Sequence, residues 1–218
     1  MKYSAAITLV LLSTNSVIAD DTFVWSGAYA GLQAGYGSGS STYIVDIFPN
    51  LFIPYDPKGF FGGAYAGYNV EVKPGWIAGV EADLSAGGLE SGRTTVLNPR
   101  PTHEFGHADI VWQGALRARL GYDAGRVLPF ATAGLALATY QHSVENEYIY
   151  DGFNRTTLGW TIGAGFDYAL TNRLIARAEY RFSDYGTDHY DRKFVGGALS
   201  HEVDLATQDV RIGLAYKF

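Results

Sequence analysis

An alternation of apolar with small or polar side chains, repeating every two residues, runs through most of this chain and constrains its fold more than any other feature. A period of two is the repeat of a β-strand, whose successive side chains point to opposite faces. Segments of about 9–14 residues exceed the usual strand length of about 5–6 and match the tilted crossing of a bilayer. The eight alternating segments are residues 27–36, 60–72, 76–85, 111–122, 127–140, 157–170, 174–184 and 207–218.

One segment, 127–140, gives an ambiguous face assignment. Pro129 and Leu135 belong to one face, whereas Phe130 and Tyr140 fall on the opposite one. A β-bulge, which inserts one extra residue into a strand, would switch the faces within the segment. The sequence therefore leaves the apolar face of this strand open.

The connections between the segments are alternately short and long. The short ones have compositions typical of tight turns. Short turns at one end and long loops at the other describe an antiparallel up-and-down meander with an even number of strands and both termini at the short-turn end. The short connections are 73–75, 123–126 and 171–173, and the long ones are 37–59, 86–110, 141–156 and 185–206.

The first 19 residues are predicted to be a signal peptide. Lys2 gives a positive start, residues 5–12 (AAITLVLL) form a short apolar run, and Val17 and Ala19 fit a small-x-small cleavage pattern. We expect cleavage between Ala19 and Asp20, which leaves 20–218 as one barrel domain. The alternative is an uncleaved anchor helix, but the apolar run is too short to span about 30 Å as a helix.

Composition excludes several classes of function. Only 17% of the residues are charged and the formal net charge is -6, which argues against a nucleic-acid partner. The chain has no Cys, so disulfides, thiolate zinc sites and Cys nucleophiles are excluded. No stretch after the signal peptide has 18 consecutive apolar residues, so a helical membrane protein is excluded as well.

Alternation alone does not distinguish a soluble barrel with an apolar interior from a membrane barrel, which has the reverse arrangement. The polar faces carry charges of both signs, interleaved with Gly and Ala that suit a narrow interior. An Arg or Lys facing the middle of a bilayer would cost about 2–4 kcal/mol, so in a membrane these charges must face inward. They are Glu71, Glu81, Asp83, Asp167, Glu179, Asp209, Arg117, Arg119, Arg177, Arg181, Arg211 and Lys217.

An eight-stranded barrel has an interior that side chains just fill. Charges buried there are tolerated only when they are paired and hydrogen-bonded. We therefore predict an ion-pair network at the middle of the lumen, which argues against a wide pore and leaves a narrow or gated one open. Its predicted members are Glu81, Asp83, Arg117, Arg119, Arg177, Glu179, Arg181 and Arg211.

Aromatic residues on the apolar faces fall at two heights, which indicates the interface girdles of a membrane barrel rather than scattered core aromatics. The ring near the short turns comprises Trp76, Tyr122, Phe166, Tyr168, Tyr216 and Phe218. The ring toward the long loops comprises Tyr36, Phe60, Trp112, Trp160, Tyr180 and Phe182.

Several motifs are also shared with a known group of proteins. In these motifs the chain resembles the small alphaproteobacterial outer-membrane β-barrels, which are a porin-family group of surface antigens that includes haemin-binding members. The motifs are 25–32 (WSGAYAGL), 35–37 (GYG), 114–122 (GALRARLGY), 129–134 (PFATAG), 159–165 (GWTIGAG), 178–182 (AEYRF) and 207–218 (TQDVRIGLAYKF).

The resemblance implies an all-β fold: an eight-stranded antiparallel up-and-down transmembrane β-barrel with short periplasmic turns and long extracellular loops. It implies that the barrel-assembly machinery recognises the last strand, with Tyr216 and Phe218 as the C-terminal signal. Its surroundings would be outer-membrane lipid and lipopolysaccharide. The family offers no shared catalytic residues.

The five histidines lie in or beside the predicted long loops, where imidazoles could bind haemin or a metal. His103 and His107 form the first candidate pair, and His189 and His201 the second. The alternative is that strands exclude His and solvated loops tolerate it. We therefore assign no cofactor from the sequence and keep haemin binding as a hypothesis.

One further candidate site is the loop 37–59, for which two interpretations stay open. The loop 37–59 is unusually apolar, which indicates either an adhesive surface for a host ligand or strands that continue and pair above the membrane.

His142 and Ser143 have the residue types of a hydrolase, but neighbouring strand positions point to opposite faces. We predict that the protein is not an enzyme.

The sequence thus predicts an integral outer-membrane barrel with a structural and surface role in the bacterial envelope. A porin-like channel for small solutes is the alternative, followed by haemin binding or adhesion through the extracellular loops.

Overall fold

A computed structural model describes residues 23–45, 52–55, 58–90, 105–146, 149–194 and 197–218. No helix within these ranges is long and apolar enough to cross a membrane. The strands are β1 (Gly27–Val45), β2 (Phe52–Tyr55), β3 (Lys58–Lys73), β4 (Trp76–Glu90), β5 (Phe105–Tyr122), β6 (Val127–Asn146), β7 (Ile149–Ala169), β8 (Leu174–Phe194) and β9 (Gly197–Lys217).

Eight of these strands close into a barrel. From β3 to β9, each strand pairs antiparallel with the next one in the chain, and β1 pairs with both β3 and β9. Within the described ranges, the short strand β2 pairs only with the end of β1, from Ser41 to Ile44. Closure removes the exposed strand edges, because every barrel strand has a hydrogen-bonded neighbour on both sides. The predicted eight-stranded up-and-down barrel is confirmed.

Three tight connections lie at one end of the barrel, as predicted. Gly75 between β3 and β4 has φ +79°, and Gly125 between β5 and β6 has φ +77°. Only glycine adopts such values without strain, so these positions allow the chain to reverse in a few residues. Between β7 and β8, the Leu170 N–H donates to the Leu174 carbonyl at 2.9 Å. We call this the short-turn end.

At the opposite end, the strands continue into the segments predicted to be long loops, so those boundaries were wrong. β6 and β7 stay paired up to Asn146 and Ile149, and β8 and β9 up to Phe194 and Gly197. β1 extends to Val45, in agreement with the continuing-strand interpretation of 37–59. The alternation fades there because both faces of a strand outside lipid can carry polar residues, whereas backbone pairing does not require it.

The face of β6 that the sequence left open is now defined. Its pairing with β7 runs from Val127 to Asn146 without a register shift. Leu135 and Leu137 are exposed on the outer surface, and Phe130 is buried inside the barrel. No bulge is needed, because Phe130 occupies the lumen beside arginine side chains rather than lipid.

The aromatic residues of both predicted girdles lie on the outer surface, and all but the half-buried Phe182 are exposed. Within each girdle, neighbouring rings contact one another. The Trp76 and Tyr122 centroids are 5.5 Å apart near the short turns, and the Tyr36 and Phe60 centroids are 4.9 Å apart toward the other end. The apolar band between the girdles is therefore the lipid-facing surface of the barrel.

Gly163 on β7 makes room for the lumen side chains. A Cβ there would lie 2.7 Å from Glu179 Oε1 and 2.8 Å from Thr132 Oγ1, both of which bond Arg117. We expect Gly163→Ala to lower the free energy of unfolding by about 1–3 kcal/mol through overpacking. Urea unfolding of the folded barrel in liposomes would measure it.

Gly62→Ala is the matched control for Gly163→Ala. Gly62 is exposed on the outer surface, and the nearest heavy atom to a Cβ there is Gln33 O at 3.7 Å. We expect a change within about 0.5 kcal/mol. Equal losses from the two variants would contradict a space requirement in the lumen.

Candidate functional site: the charged lumen

The middle of the barrel is filled by ionic side chains rather than apolar ones. Among the described residues, five acidic and five arginine side chains are buried there, so their charges balance. Taking ions out of water is expensive unless opposite charges and hydrogen bonds compensate, so the identity of each partner matters. The ten are Glu81, Asp83, Asp167, Glu179, Asp209, Arg117, Arg119, Arg177, Arg181 and Arg211.

Arg117 on β5 is the hub of this network. Its two terminal nitrogens pair with Glu81 Oε1 and Glu179 Oε1, and Nη2 also lies 3.4 Å from Asp83 Oδ2. Nη1 donates a further hydrogen bond to Thr132 Oγ1 at 3.1 Å. One guanidinium thus joins β4, β6 and β8 across the lumen, which its planar, forked donor arrangement permits.

Toward the short-turn end, Arg177 and Arg119 share Asp167. Arg177 Nε lies 2.7 Å from Asp167 Oδ1, and Arg119 Nη2 lies 2.8 Å from Oδ2. Arg177 Nη1 also lies 2.5 Å from Glu81 Oε2, which accepts a hydrogen bond from the Tyr29 hydroxyl at 2.7 Å. These contacts connect the layer to Arg117 through Glu81.

Aromatic rings cover the two arginines of this layer. Arg119 lies 4.2 Å from the centroid of the Phe130 ring, and Arg177 lies 4.4 Å from that of Tyr65. A guanidinium attracted to the face of a ring stays paired while its apolar side is shielded, which suits a dry site. The inward position of Phe130 has this physical reason.

In the layer toward the opposite end, Asp83 is the carboxylate shared by two arginines. Arg181 Nη1 and Arg211 Nη1 lie 3.0 Å and 3.2 Å from Asp83 Oδ1. Arg211 Nε also lies 2.5 Å from Asp209 Oδ1. Arg181 Nε lies 3.5 Å from Glu179 Oε1, which returns the network to Arg117. Every one of the ten side chains is therefore linked to the others through opposite charges.

Between the network and the short-turn end of the barrel, the lumen contains an apolar layer. Residues 23–26, which we call the N-terminal strap, precede β1 and fold into the barrel mouth. Phe23 and Trp25 are buried, with ring centroids 4.5 Å apart. They pack in a cluster with Tyr29, Tyr65, Ile77, Leu128, Ala169, Ile175 and Ala215, which come from the inner faces of seven different strands.

The strap is also hydrogen-bonded at both ends of its path. Trp25 Nε1 donates to the Gly125 carbonyl at 2.9 Å, in the turn before β6. β6 lies four strands from β1 in either direction around the barrel, so this bond spans the mouth. On the near side, Asn69 Nδ2 donates to the Trp25 carbonyl at 3.3 Å, and Glu71 N donates to Ser26 Oγ at 3.1 Å.

The structure brings together all eight residues that the sequence placed in the network, and it adds Asp167 and Asp209. Both had been assigned to the polar face but not to the middle of the lumen, because counting from the turns ignores strand tilt. Glu71 and Lys217 lie outside the network: Glu71 Oε1 accepts from Gly75 N at 3.0 Å at the rim. The strap was missed, although two large aromatics directly before the first alternating segment were a signal.

The other predicted sites lie largely outside the described part of the chain. This holds for the signal peptide with Ala19 and Asp20, for His103, and for the side chains of the other histidines. On the backbone, His189 pairs with Glu202 and His201 with Tyr190, so these two occupy neighbouring rungs of one hairpin. In the ranges that the structure covers, no cluster of His, Asp or Glu could hold a metal ion. Haemin binding stays a prediction.

Comparison with known proteins agrees with this architecture. A family model described as the outer membrane protein beta-barrel domain matches residues 5–218. The 25 kDa outer-membrane immunogenic protein of Brucella canis is 34% identical over 197 residues, which cover 90% of this chain and 80% of the relative. The 31 kDa outer-membrane immunogenic protein of Brucella melitensis biotype 1 is 31% identical over 217 residues, covering 91% and 85%.

Among solved structures, the outer membrane protein OprG from Pseudomonas aeruginosa superposes with a TM-score of 0.52. The match covers 91% of this chain and 99% of OprG at 15% identity, so it speaks for the fold alone. Closed topology, lipid-facing girdles and an ionic interior agree with the family match. The chain therefore belongs to the family of outer-membrane β-barrel proteins and is located in the bacterial outer membrane.

Proposed function

We propose that the protein is a closed barrel with a structural and surface-presenting role in the outer membrane, rather than an open channel. The observation that carries this proposal is the network of five carboxylates and five arginines across the lumen. A solute would have to separate these pairs, and each separation leaves a buried charge uncompensated. The N-terminal strap supplies a second, apolar barrier at the periplasmic mouth.

We assign no catalytic role to the buried carboxylates of the lumen. Each buried carboxylate of the described lumen pairs with at least one arginine, as Asp167 does with Arg119 and Arg177. A carboxylate held in this way is a weak acid–base catalyst, because proton uptake would break its ion pairs. The immunogenic relatives favour a role for the surface-exposed end of the barrel.

Conductance separates the closed barrel from a channel. Refolded wild-type protein inserted into a planar lipid bilayer is expected to give no steady current under conditions in which a general porin conducts. Heat-modifiable gel migration of the same preparation would establish that the protein is folded. A reproducible ohmic current from folded wild-type protein would contradict the proposal and assign a channel.

The structural role is tested separately in cells. A strain that lacks the gene is expected to become more sensitive to bile salts and to chelators of divalent cations, and a plasmid copy should restore resistance. Unchanged sensitivity would contradict a structural role, even for a barrel that does not conduct.

A further inference from the structure

The outer surface of the barrel carries a groove at the end away from the short turns. It has a volume of about 280 Å³ and is lined by Ser38, Gly39, Lys58, Phe182, Ala206, Thr207 and Gln208. Ser38 pairs in register with both Lys58 and Gln208, and Gln208 pairs with Phe182. These four side chains form one outward-facing row across β3, β1, β9 and β8, and the small residues Gly39, Thr207 and Ala206 follow on the next rungs away from the short turns.

The next row toward the short turns places this groove at the membrane interface. It comprises Phe60, Tyr36, Val210 and Tyr180, which are all exposed and belong to the outer girdle or the apolar band. Aromatic girdles mark the headgroup level of the bilayer. Lys58, Ser38 and Gln208 therefore stand where the acyl region ends and polar headgroups begin.

The chemistry of the groove matches a phosphorylated sugar. Lys58 is exposed and is the only cation on the outer half of the described outward face. The Tyr180 hydroxyl donates to Gln208 Oε1 at 3.0 Å, so hydrogen bonds from Gln208 to a ligand would come from its amide nitrogen. Phe182 forms an apolar wall at the other end, where one face of a sugar ring can pack.

An acidic neighbour, Asp184, restricts where a phosphate can lie. Asp184 is opposite Ala206 in register, and its Oδ1 accepts a hydrogen bond from Gly186 N at 2.8 Å. An anion is therefore best placed between Lys58 and Ser38, with the sugar extending toward Gln208 and Phe182.

We propose that this groove is a docking site for the phosphorylated glucosamine headgroup of an outer-leaflet glycolipid of the lipid A type. The phosphate contacts Lys58 and Ser38, the sugar lies against Phe182 and Gln208, and the acyl chains run down past Tyr36 and Val210. The site is on the outside of the barrel, so it does not depend on whether the lumen conducts.

Native mass spectrometry of the folded barrel, titrated with bisphosphorylated lipid A, tests this site. Lys58→Gln is expected to weaken binding about fivefold, which corresponds to about 1 kcal/mol for one Lys near an anionic surface. Ala206→Trp, which fills the groove without changing charge, is expected to weaken it at least as much. Lys73→Gln at the opposite rim is the matched control and should bind as wild type does.

Two further arms define the ligand. Dephosphorylated lipid A and phosphatidylglycerol should each bind more weakly than bisphosphorylated lipid A, because each lacks half of the proposed contacts. Asp184→Asn should bind at least as tightly as wild type, because it removes the negative charge beside the groove. Equal binding of the three lipids, weaker binding by Asp184→Asn, or unchanged binding by both groove variants would overturn the assignment.

Discussion

Replacing Arg117 by alanine is expected to lower the free energy of unfolding by about 3–5 kcal/mol, the usual loss when one partner of a buried ion pair is removed. The side chain is fully buried and pairs with Glu81, Glu179 and Asp83, so truncation leaves buried carboxylates of like charge facing one another. Urea unfolding in liposomes, followed by tryptophan fluorescence, would measure the change.

Two comparison variants show whether charge is the cause. Arg173→Ala removes an exposed arginine at the periplasmic rim, where Nη1 donates to the Tyr216 hydroxyl at 2.9 Å, and it should cost at most about 1 kcal/mol. Arg117→Met combined with Glu179→Gln restores the balance of charge, and it should recover part of the loss. An Arg117→Ala variant as stable as Arg173→Ala would show that the network contributes no stability.

Truncation of Trp25 in the N-terminal strap is expected to have a comparable effect. Trp25→Ala removes a buried indole from the periplasmic cluster together with its bond to the Gly125 carbonyl, and such substitutions cost about 3–5 kcal/mol. The loss should appear as a lower urea midpoint. Steady current should stay absent, because the ion-pair network still closes the lumen.

Val24→Ala is the control for the strap. Val24 lies between the two buried aromatics but is 64% exposed, so its truncation should change stability by less than about 0.5 kcal/mol. Equal midpoints for the Trp25 and Val24 variants would mean that the strap does not contribute to the stability of the barrel. A steady current from Trp25→Ala would instead make the strap the main seal.

The outward surface was the most predictable part of the structure. Residues such as Leu158, Trp160 and Ile162 recur at every second position because lipid excludes charge at each height of the bilayer. The same requirement predicted that Arg117, Arg177 and Glu179 face the lumen. Charge is no longer excluded where the strands leave the lipid. The ends of β6 at Asn146 and of β8 at Phe194 were therefore not predicted.

Partners inside the lumen were not predictable from the pattern. Arg181 lies next to Phe182 and Tyr180 in the chain, yet it pairs with Asp83 on the far side of the barrel. Which carboxylate a guanidinium reaches depends on strand tilt and side-chain length, and neither appears in a period of two. For this reason Asp167 and Asp209 were placed on the correct face but left out of the network.

The residue pattern alone predicted the number of barrel strands, the side of every strand except β6 that meets lipid, and the signs of the charges inside. The folded barrel was needed to show which charges pair, that Phe130 covers Arg119, and that the Trp25 side chain reaches Gly125 across the mouth. The difference comes from the separation along the chain between the residues that each interaction involves. Contact with lipid acts on each residue separately and leaves a local pattern, whereas pairing across a lumen joins residues that are far apart in the chain.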